Sequence, residues 1–283
     1  MEHIAKRVGR LSSFLREEME MSAGLINKLK WQDRLLVNGA PCFTNHIVNP
    51  GDVITVLLPE GEAEYPAEQG ELTVLYEDDH ILAVDKPAGM LIHPSRACNT
   101  GTLANFVLGY YNKTGQSCAF HPVTRLDRDT FGVVLLAKNP HIHARFQQLP
   151  LEKTYLARVL GTPPQPEGVI NAPIARRPLP SLLRYVDESG KESITRYRLL
   201  ETDGKISLLE LIPVTGRTHQ LRVHCAYMGC PILGDPQYGS EESQSISRDF
   251  KLNSQLLCAA SVTFQHPVTK NTVTVDSRQT PIL

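Results

Sequence analysis

The first sixty residues combine a helical spacing of apolar positions with a later pattern typical of short strands. Apolar residues recur every three or four positions over residues 10–20 and again after Ser22, which predicts two helices, the second capped by that serine. Asn38-Gly39 predicts a tight turn between short strands, and a further strand is expected from Val53 to Leu57. The apolar positions of the two helices are Leu11, Phe14, Leu15, Met19, Leu25, Ile26 and Leu29. The pattern therefore predicts a small α+β domain over residues 1–60.

Residues 72–283 show many short β-type runs with helical segments between them. Examples are VVLLAK at 133–138, TYLARVLG at 154–161 and ISLLELIPV at 206–214. Strands and helices do not alternate regularly, which argues against a doubly wound parallel sheet. We therefore predict a second domain of α+β class, with a mixed, largely antiparallel sheet and flanking helices.

Between these two parts, residues 61–71 are rich in Pro, Gly and Glu, which predicts an acidic linker that is solvated and extended. Residues 1–60 hold seven basic and seven acidic residues, and residues 61–80 hold seven acidic residues and no basic ones. The remaining 22 basic and 16 acidic residues lie in residues 81–283. The net charge of -1 thus hides a basic C-terminal body, which permits phosphate binding without demonstrating it.

Cysteine usage and hydropathy indicate the compartment. None of the six cysteines forms a C-x-x-C pair, which favours reduced thiols in a reducing cytosol. The N-terminus has no apolar run of signal-peptide length, and no later run approaches the length of a membrane span. We expect a cytoplasmic, monomeric protein that does not associate with a membrane.

Several common catalytic motifs are absent from the sequence. It contains no G-x-G-x-x-G, no P-loop, no G-x-S-x-G and no H-E-x-x-H. His141 and His143 are two residues apart, a poor spacing for metal ligands on a helix, so we predict no metal site and no nucleotide cofactor. Redox, kinase and metallohydrolase chemistry are disfavoured accordingly.

Four polar segments remain, and each has an ordinary structural explanation when taken alone. Arg125-Leu126-Asp127 can be a polar turn that enters a buried strand, and Tyr155 can be a core aromatic residue. Gly216-Arg217-Thr218 can cap a helix, with Arg217 in its first turn and its end at Gly229. The segments are KPAGMLIHP at 86–94, RLDRDTFGVVLLAK at 125–138, KTY at 153–155 and TGRTHQLRVHCAYMGCPILGD at 215–235.

In this order, the four segments resemble the sequence blocks of the RluA family of pseudouridine synthases, and the resemblance covers residues 72–280. Residues 8–60 resemble the small RNA-binding domain of the S-four type, first seen in a small-subunit ribosomal protein. Two positions differ from the family pattern: Thr124 replaces a His, and Phe131 replaces a Ser. Both lie beside Asp127 in the sequence and bear on substrate choice.

The resemblance implies that the protein isomerises uridine in RNA, a redox-neutral reaction that needs no cofactor. It assigns the catalytic carboxylate to Asp127, either as nucleophile or as base at the 2′ position with a glycal intermediate. It pairs Arg217 with Asp127 to keep the carboxylate ionised, and it places Tyr155 against the target base. Arg125 corresponds to the residue that enters the RNA stack when the uridine leaves it.

RNA is the expected partner, and large-subunit ribosomal RNA the expected substrate. Alternatives are transfer RNA, a non-catalytic RNA-binding protein built on a decayed synthase domain, and a glycosidase-type hydrolase that uses Asp127 with Asp129. We expect Asp129 to be structural. Further RNA contacts are expected from His93, Lys153, His219, Gln220 and Arg222 in the catalytic domain and from Arg10, Lys28, Lys30 and Arg34 in the N-terminal one.

Overall fold

The computed structural model describes residues 1–58, 65–95, 98–178 and 181–283. Residues 1–58 form a small α+β unit around a hydrophobic core of their own. Strands β1, β6, β3 and β4 form an antiparallel sheet in that order, and β2 pairs with β5. The elements of the unit are β1 (Glu2–Ile4), β2 (Gly9–Arg10), α1 (Leu11–Ser13), a π-helical segment (Phe14–Glu18), α2 (Ala23–Lys30), β3 (Leu35–Val37), β4 (Ala40–Pro41), β5 (Ile47–Val48) and β6 (Val53–Val56).

The two helices of this unit differ in how well the spacing predicted them. The first is α-helical over only three residues and continues as a π-helical turn, in which Met19 N donates to Phe14 O at 2.9 Å. The second begins as predicted, because Ser22 Oγ accepts a hydrogen bond from Leu25 N at 3.2 Å. Asn38-Gly39 forms the predicted turn, with positive φ angles of 51° and 81°.

The main body contains the rest of the regular structure that is described. Its elements are β7 (Thr73–Glu77), β8 (Ile81–Lys86), α3 (Leu103–Lys113), β9 (His121–Pro122), β10 (Phe131–Ala137), α4 (Pro140–Phe146), β11 (Leu151–Leu160), β12 (Glu167–Asn171), β13 (Ile174–Arg176), β14 (Arg184–Val186), β15 (Ile194–Thr202), β16 (Ile206–Pro213), α5 (Gln220–Tyr227), α6 (Glu241–Asp249), β17 (Leu257–Gln265) and β18 (Thr272–Asp276). In the described parts of the chain, no helix is long and apolar enough to cross a membrane.

The large sheet has the strand order β12-β15-β16-β11-β17-β10-β8-β7, with β18 beside β17 and β9 beside β10. All of its pairs are antiparallel except β10 with β17, so the predicted mixed, largely antiparallel sheet is confirmed. Strand β10 is buried along its whole length, and its side chains alternate between two cores. Val134 and Leu136 pack with α3, whereas Val133 and Leu135 pack with α4.

Three strands meet where the polar segments converge. Phe131 of β10 pairs with Cys258 of β17, and Tyr155 of β11 pairs with the adjacent Ala259. Gly132 has a φ of +108°, and a Cβ at this position would lie 2.3 Å from Ala259 O. Only glycine allows β10 and β17 to approach this closely. The turn that contains Asp127, just before β10, is thereby brought beside Tyr155.

The predicted linker is only partly a linker. Residues 61–64 lie outside the described part of the chain. Residues 65–71 are mostly exposed and form no helix or strand, but they are held against α3 and not free. Glu68 N donates to Asn105 O at 3.0 Å, and Asn105 Nδ2 donates to Pro66 O at 2.8 Å. A Cβ at Gly109 would lie 1.8 Å from Glu68 O, so this mid-helix glycine provides the room for the contact.

Candidate active site

A cavity of about 460 Å³ opens between the Asp127 turn, the start of β11 and the loop that precedes α5. We call it the Asp127 cavity. It brings together residues from three of the four polar segments. Those that line it include Arg125, Asp127, Lys153, Tyr155, Arg217, His219, Gln220 and Arg222.

Hydrogen bonds fix the Asp127 turn on both sides. Asp127 O accepts from Thr130 N at 3.2 Å, and Thr130 Oγ1 accepts from Gln255 Nε2 at 2.7 Å. On the other side, the buried Thr124 accepts a hydrogen bond on Oγ1 from Leu135 N at 2.9 Å. Thr124 therefore anchors the turn to β10 and has no direct contact with Asp127 among these bonds.

Lys86, in the first polar segment (KPAGMLIHP at 86–94), supports the Asp127 turn. Its side chain is fully buried, and Nζ donates to Pro87 O, Met90 O and Arg128 O, each at 2.9 Å. Three carbonyl acceptors match the three donors of an ammonium group. Burial lowers the pKa of Lys86 to about 8, whereas the carboxylates of Asp129 and Asp127 act in the opposite direction. Lys86 thus ties the first polar segment to the residue that follows Asp127.

The cation paired with Asp127 is Arg222. Its Nη1 lies 3.2 Å from Asp127 Oδ2, while Nε and Nη2 make a fork with the two oxygens of Asp235 at 2.7 and 2.9 Å. Nη2 also donates to Gln237 Oε1 at 2.8 Å, and the ring of Tyr238 covers the guanidinium at 4.9 Å. Arg222 is 5% exposed, so this position is set by the surrounding protein.

The predicted pairing of Arg217 with Asp127 is therefore wrong. Arg217 is exposed, and its Nε donates to Glu192 O at 3.0 Å. Helix α5 begins at Gln220, three residues later than the sequence suggested, so Arg217 remains in the preceding loop. Arg222 consequently takes the place in the first helical turn that faces the carboxylate. A signal for this existed: Arg222 lies in the apolar stretch LRVHCA, and a buried arginine requires an acidic partner.

The RNA contacts predicted for Gln220 and Arg222 are also corrected, because both side chains are buried and engaged inside the protein. Gln220 Oε1 accepts from Thr215 Oγ1 at 2.9 Å and from Arg217 N at 3.0 Å. Its Nε2 donates to Ile194 O and Thr195 Oγ1, both at 3.0 Å. This network holds the loop before α5 against β15 and explains the late start of the helix.

His219 is directed at Asp127 by Tyr238. The Tyr238 hydroxyl accepts from Arg184 N at 2.9 Å, so its own proton is free to be donated to His219 Nδ1 at 2.8 Å. In the tautomer that accepts this proton, a neutral His219 carries its own proton on Nε2, which lies 3.8 Å from Asp127 Oδ2. Burial lowers the pKa of His219, and the Asp127 carboxylate opposes that shift. His219 has a φ of 57°, the left-handed conformation that turns the chain into α5.

Tyr155 and Lys153 stand at the start of β11, on the wall of the cavity. A register shift in the pairing of β11 with β17 falls between Thr154 and Tyr155. Burial, together with the charge of Asp127, raises the pKa of Tyr155, so its hydroxyl stays protonated at neutral pH. Burial lowers the pKa of Lys153. Arg125 is exposed at the mouth of the cavity.

Several predicted residues lie outside the Asp127 cavity. His93 is half-buried and packs edge-on against Phe120, with ring centroids 5.2 Å apart. Arg34 donates to Leu58 O at 3.1 Å, which gives it a structural contact within the N-terminal unit. Lys30 Nζ lies 4.6 Å from the centroid of the exposed Trp31 ring, Lys28 is exposed on the same helix, and Arg10 is exposed in β2.

Asp129 is not arranged as a catalytic partner of Asp127. Both of its carboxylate oxygens accept from the guanidinium of the neighbouring Arg128 at 3.0 Å. This contact does not form the two facing carboxylates that a glycosidase requires. The geometry therefore does not form a hydrolytic pair of carboxylates.

Residues 80–227 match the family described as RNA pseudouridylate synthase. The matched region includes the Asp127 turn, the start of β11 and the arginine that pairs with Asp127. The chain belongs to this family and is accordingly a pseudouridine synthase, an isomerase that acts on RNA.

Relatives of similar length support the assignment. The chain is 35% identical over 274 residues to an RNA pseudouridine synthase of Bacillus subtilis (YhcT), covering 94% of this chain and 88% of the relative. It is 31% identical to ribosomal large subunit pseudouridine synthase C of Vibrio cholerae, covering 92% and 86%. It is 38% identical to ribosomal large subunit pseudouridine synthase D of Nitrosomonas europaea, covering 82% and 69%.

The fold is also similar to that of a solved human structure, RNA pseudouridylate synthase domain containing 1. The TM-score is 0.62 at 24% identity, with 77% of this chain and 87% of that chain covered. At this identity the likeness concerns the fold alone.

Proposed function

We propose that this protein converts specific uridines of large-subunit ribosomal RNA to pseudouridine, with Asp127 as the catalytic carboxylate. The observation that carries the proposal is the position of Asp127 on the wall of an open cavity, held by a buried arginine at 3.2 Å. Two relatives named for the ribosomal large subunit support the choice of substrate.

The chemistry requires a carboxylate beside the anomeric carbon of the ribose. The bond from C1′ to N1 of uracil breaks, the base turns, and a bond from C1′ to C5 forms. C5 then loses its proton and N1 gains one, so the reaction is redox-neutral. Asp127 acts either on C1′ as nucleophile or at the 2′ position as base, and both routes place the same carboxylate at the same edge of the sugar.

The neighbouring side chains have distinct roles in this scheme. Arg222 orients the carboxylate, because its fork with Asp235 leaves Nη1 directed at Asp127. Tyr155 provides an aromatic wall against which an extruded uracil stacks. Arg125 is exposed and takes the place that the uridine leaves in the RNA, since a base must leave its stack to reach such a cavity.

We further propose that the N-terminal unit is an RNA-binding domain of the S-four type. The exposed Lys28 and the adjacent Lys30 lie in the last turn of α2, beside the exposed aromatic ring of Trp31. A cationic and aromatic surface of this kind suits an RNA strand. Lys28→Gln with Lys30→Gln should weaken RNA binding and lower its salt dependence while leaving turnover at saturating RNA largely intact. Equal salt dependence in variant and wild type would refute this role.

The function is tested on unmodified transcripts of large-subunit ribosomal RNA and of transfer RNAs. Each transcript is incubated with the protein, treated with carbodiimide and mapped by primer extension; the isomer does not change the mass of the RNA. The proposal expects defined stops in ribosomal RNA that are absent with Asp127→Asn. Stops found only in transfer RNA would identify transfer RNA as the substrate. The absence of stops in both kinds of RNA would favour a non-catalytic RNA-binding protein.

A further inference from the structure

A second cavity, of about 540 Å³, adjoins the Asp127 cavity and is lined by cations. It lies between the β13–β14 hairpin and the loop of residues 215–218, and the two cavities share Gly216, Arg217 and Thr218. Its described lining residues include no Asp or Glu. We call it the cationic cavity; its four charged lining residues are Arg176, Arg184, Lys191 and Arg217.

The charges of this cavity are brought together at a cost in stability. Arg176 and Arg184 are direct partners in the antiparallel pair of β13 and β14, and like charges in such positions destabilise a sheet. Lys191 joins them because it bridges to Ile174, two residues before Arg176 in the same strand. In the described parts of the chain, none of the four cations forms an ion pair with an acidic side chain. An anionic ligand would remove this repulsion.

Asp187, which follows β14, already accepts hydrogen bonds from its own loop. Asp187 Oδ1 accepts from Ser189 N at 2.9 Å and from Ser189 Oγ at 2.5 Å. Two of the arginines are held in place by carbonyl groups, Arg217 by one and Arg184 by two, those of Leu182 and Leu183. Arg217 Nε donates to Glu192 O at 3.0 Å, and Arg184 Nη1 donates to Leu182 O at 2.9 Å. Among the described residues, the other guanidinium donors of Arg184 and Arg217 have no hydrogen-bond partner and are left for a ligand.

We propose that the cationic cavity binds a backbone phosphate of the RNA in the nucleotides that flank the target uridine. The proposal rests on the proposed function, which supplies the RNA. Arginine forks match the geometry of phosphate oxygens, and several converging cations suit a phosphodiester better than a neutral base. Because Arg217 lines both cavities, a phosphate held there belongs to the strand that delivers the uridine to Asp127. The hairpin thus fixes the RNA strand beside the reacting nucleotide.

The first test compares two double variants that remove the same charge. Arg176→Gln with Lys191→Gln changes two exposed residues of the cationic cavity, and Lys113→Gln with Arg248→Gln changes two exposed residues that line neither cavity. Affinity for the unmodified large-subunit ribosomal RNA transcript is measured over a range of salt concentrations. The cavity variant should lower the slope of log affinity against log salt by about 1, because one phosphate contact is lost, and the control variant should leave the slope unchanged. Equal slopes for the two double variants would overturn the proposal.

The second test locates the phosphate. A synthetic stem-loop around the mapped uridine carries one uncharged methylphosphonate linkage, which is moved along the strand. One linkage beside the target should weaken binding of the wild type several-fold and have no further effect on the cavity variant. Equal losses for both proteins at every linkage would contradict the assignment. If the proposed function fails, the result is different, because the wild type then makes no pseudouridine. The salt comparison still tests whether the cationic cavity binds a phosphate of the RNA.

Discussion

Arg222 Nη1 lies 3.2 Å from Asp127 Oδ2, although the two residues are 95 positions apart in the chain. The arginine is buried and fixed by Asp235, whereas the side chain of Asp127 is 31% exposed to the cavity. One partner is therefore immobile and the other is open to a substrate. This arrangement orients the carboxylate and places a positive charge beside it without covering it.

Arg222→Lys should reduce pseudouridine formation by at least about 100-fold, or ~2.7 kcal/mol in the barrier. Lysine keeps the charge but cannot bind Asp235 as a fork and still reach Asp127. Arg217→Lys is the matched control and should stay within about tenfold of the wild type at saturating RNA, because the Arg217 side chain donates to the Glu192 carbonyl and not to Asp127. Single-turnover rates on a saturating RNA measure both. A larger loss of activity for Arg217→Lys than for Arg222→Lys would indicate that Arg217 is the functional partner of Asp127.

Asp235→Asn should destabilise the fold by about 3–5 kcal/mol, because it removes a fully buried carboxylate from a buried arginine. Urea denaturation followed by circular dichroism gives the change in the free energy of unfolding. The control, Asp249→Asn, lies at the exposed end of α6 and should change stability by less than about 0.5 kcal/mol. If Asp235→Asn lowers the free energy of unfolding no more than Asp249→Asn does, the paired hydrogen bonds between Arg222 and Asp235 contribute little to stability.

Tyr238→Phe should allow the neutral His219 ring to carry its proton on either nitrogen. The substitution removes the hydroxyl that donates to Nδ1, and activity should fall about fivefold, the cost of one hydrogen bond of about 1 kcal/mol. Long-range proton–nitrogen NMR spectra should show the His219 proton on Nε2 in the wild type and a mixture in the variant. Tyr227→Phe, an exposed change, serves as control. A wild-type proton on Nδ1 would contradict the assignment.

Acid should destabilise the protein through His141. Burial, followed by the charge of Arg145, lowers the pKa of His141 to about 4, and neither ring nitrogen has a hydrogen-bond partner among the described residues. Between pH 6.5 and 4 the unfolded chain binds this proton and the folded chain does not, so stability falls as the pH falls. The effect is about 3 kcal/mol, from ~1.36 kcal/mol per pKa unit.

The measurement is urea denaturation at pH 7 and at pH 4.5. His141→Leu should lose less stability between the two values than the wild type. His46→Gln, at an exposed histidine, should follow the wild type. An unchanged pH dependence in His141→Leu would remove His141 as the source.

The sequence predicted the strand and the residues that form the site better than the side-chain contacts within it. The apolar run at 133–137 predicted a buried strand, and Asp127 and Tyr155 both line the cavity as the motif resemblance implied. The partner of Asp127 was not predictable from spacing, because the start of α5 depends on the buried Gln220 side chain, which holds the loop to a distant strand. Such tertiary contacts shift the start of a helix, and the one signal in the sequence was the position of Arg222 within an apolar stretch.

The contact of residues 65–71 with α3 was likewise not predictable from the local sequence. Their acidic composition is typical of a solvated linker, and their hydrogen bonds to Asn105 and the close approach of Glu68 to Gly109 show that they bind α3. A glycine in the middle of a helix was the one available signal, and it has several possible explanations. The cationic cavity was also missed, because its charges come from residues separated by up to 41 positions, from 176 to 217.

The most direct test of the account is the rate of pseudouridine formation by Asp127→Asn. Asparagine keeps the shape of the side chain but removes the charge that the reaction needs at C1′ or at the 2′ position. We expect a loss of at least about 1000-fold, or ~4 kcal/mol, with RNA affinity within about threefold of the wild type and Asp129→Asn active within about tenfold. Activity of Asp127→Asn within about tenfold of the wild type, a difference of only ~1.4 kcal/mol, would contradict the assignment of Asp127 as the catalytic carboxylate.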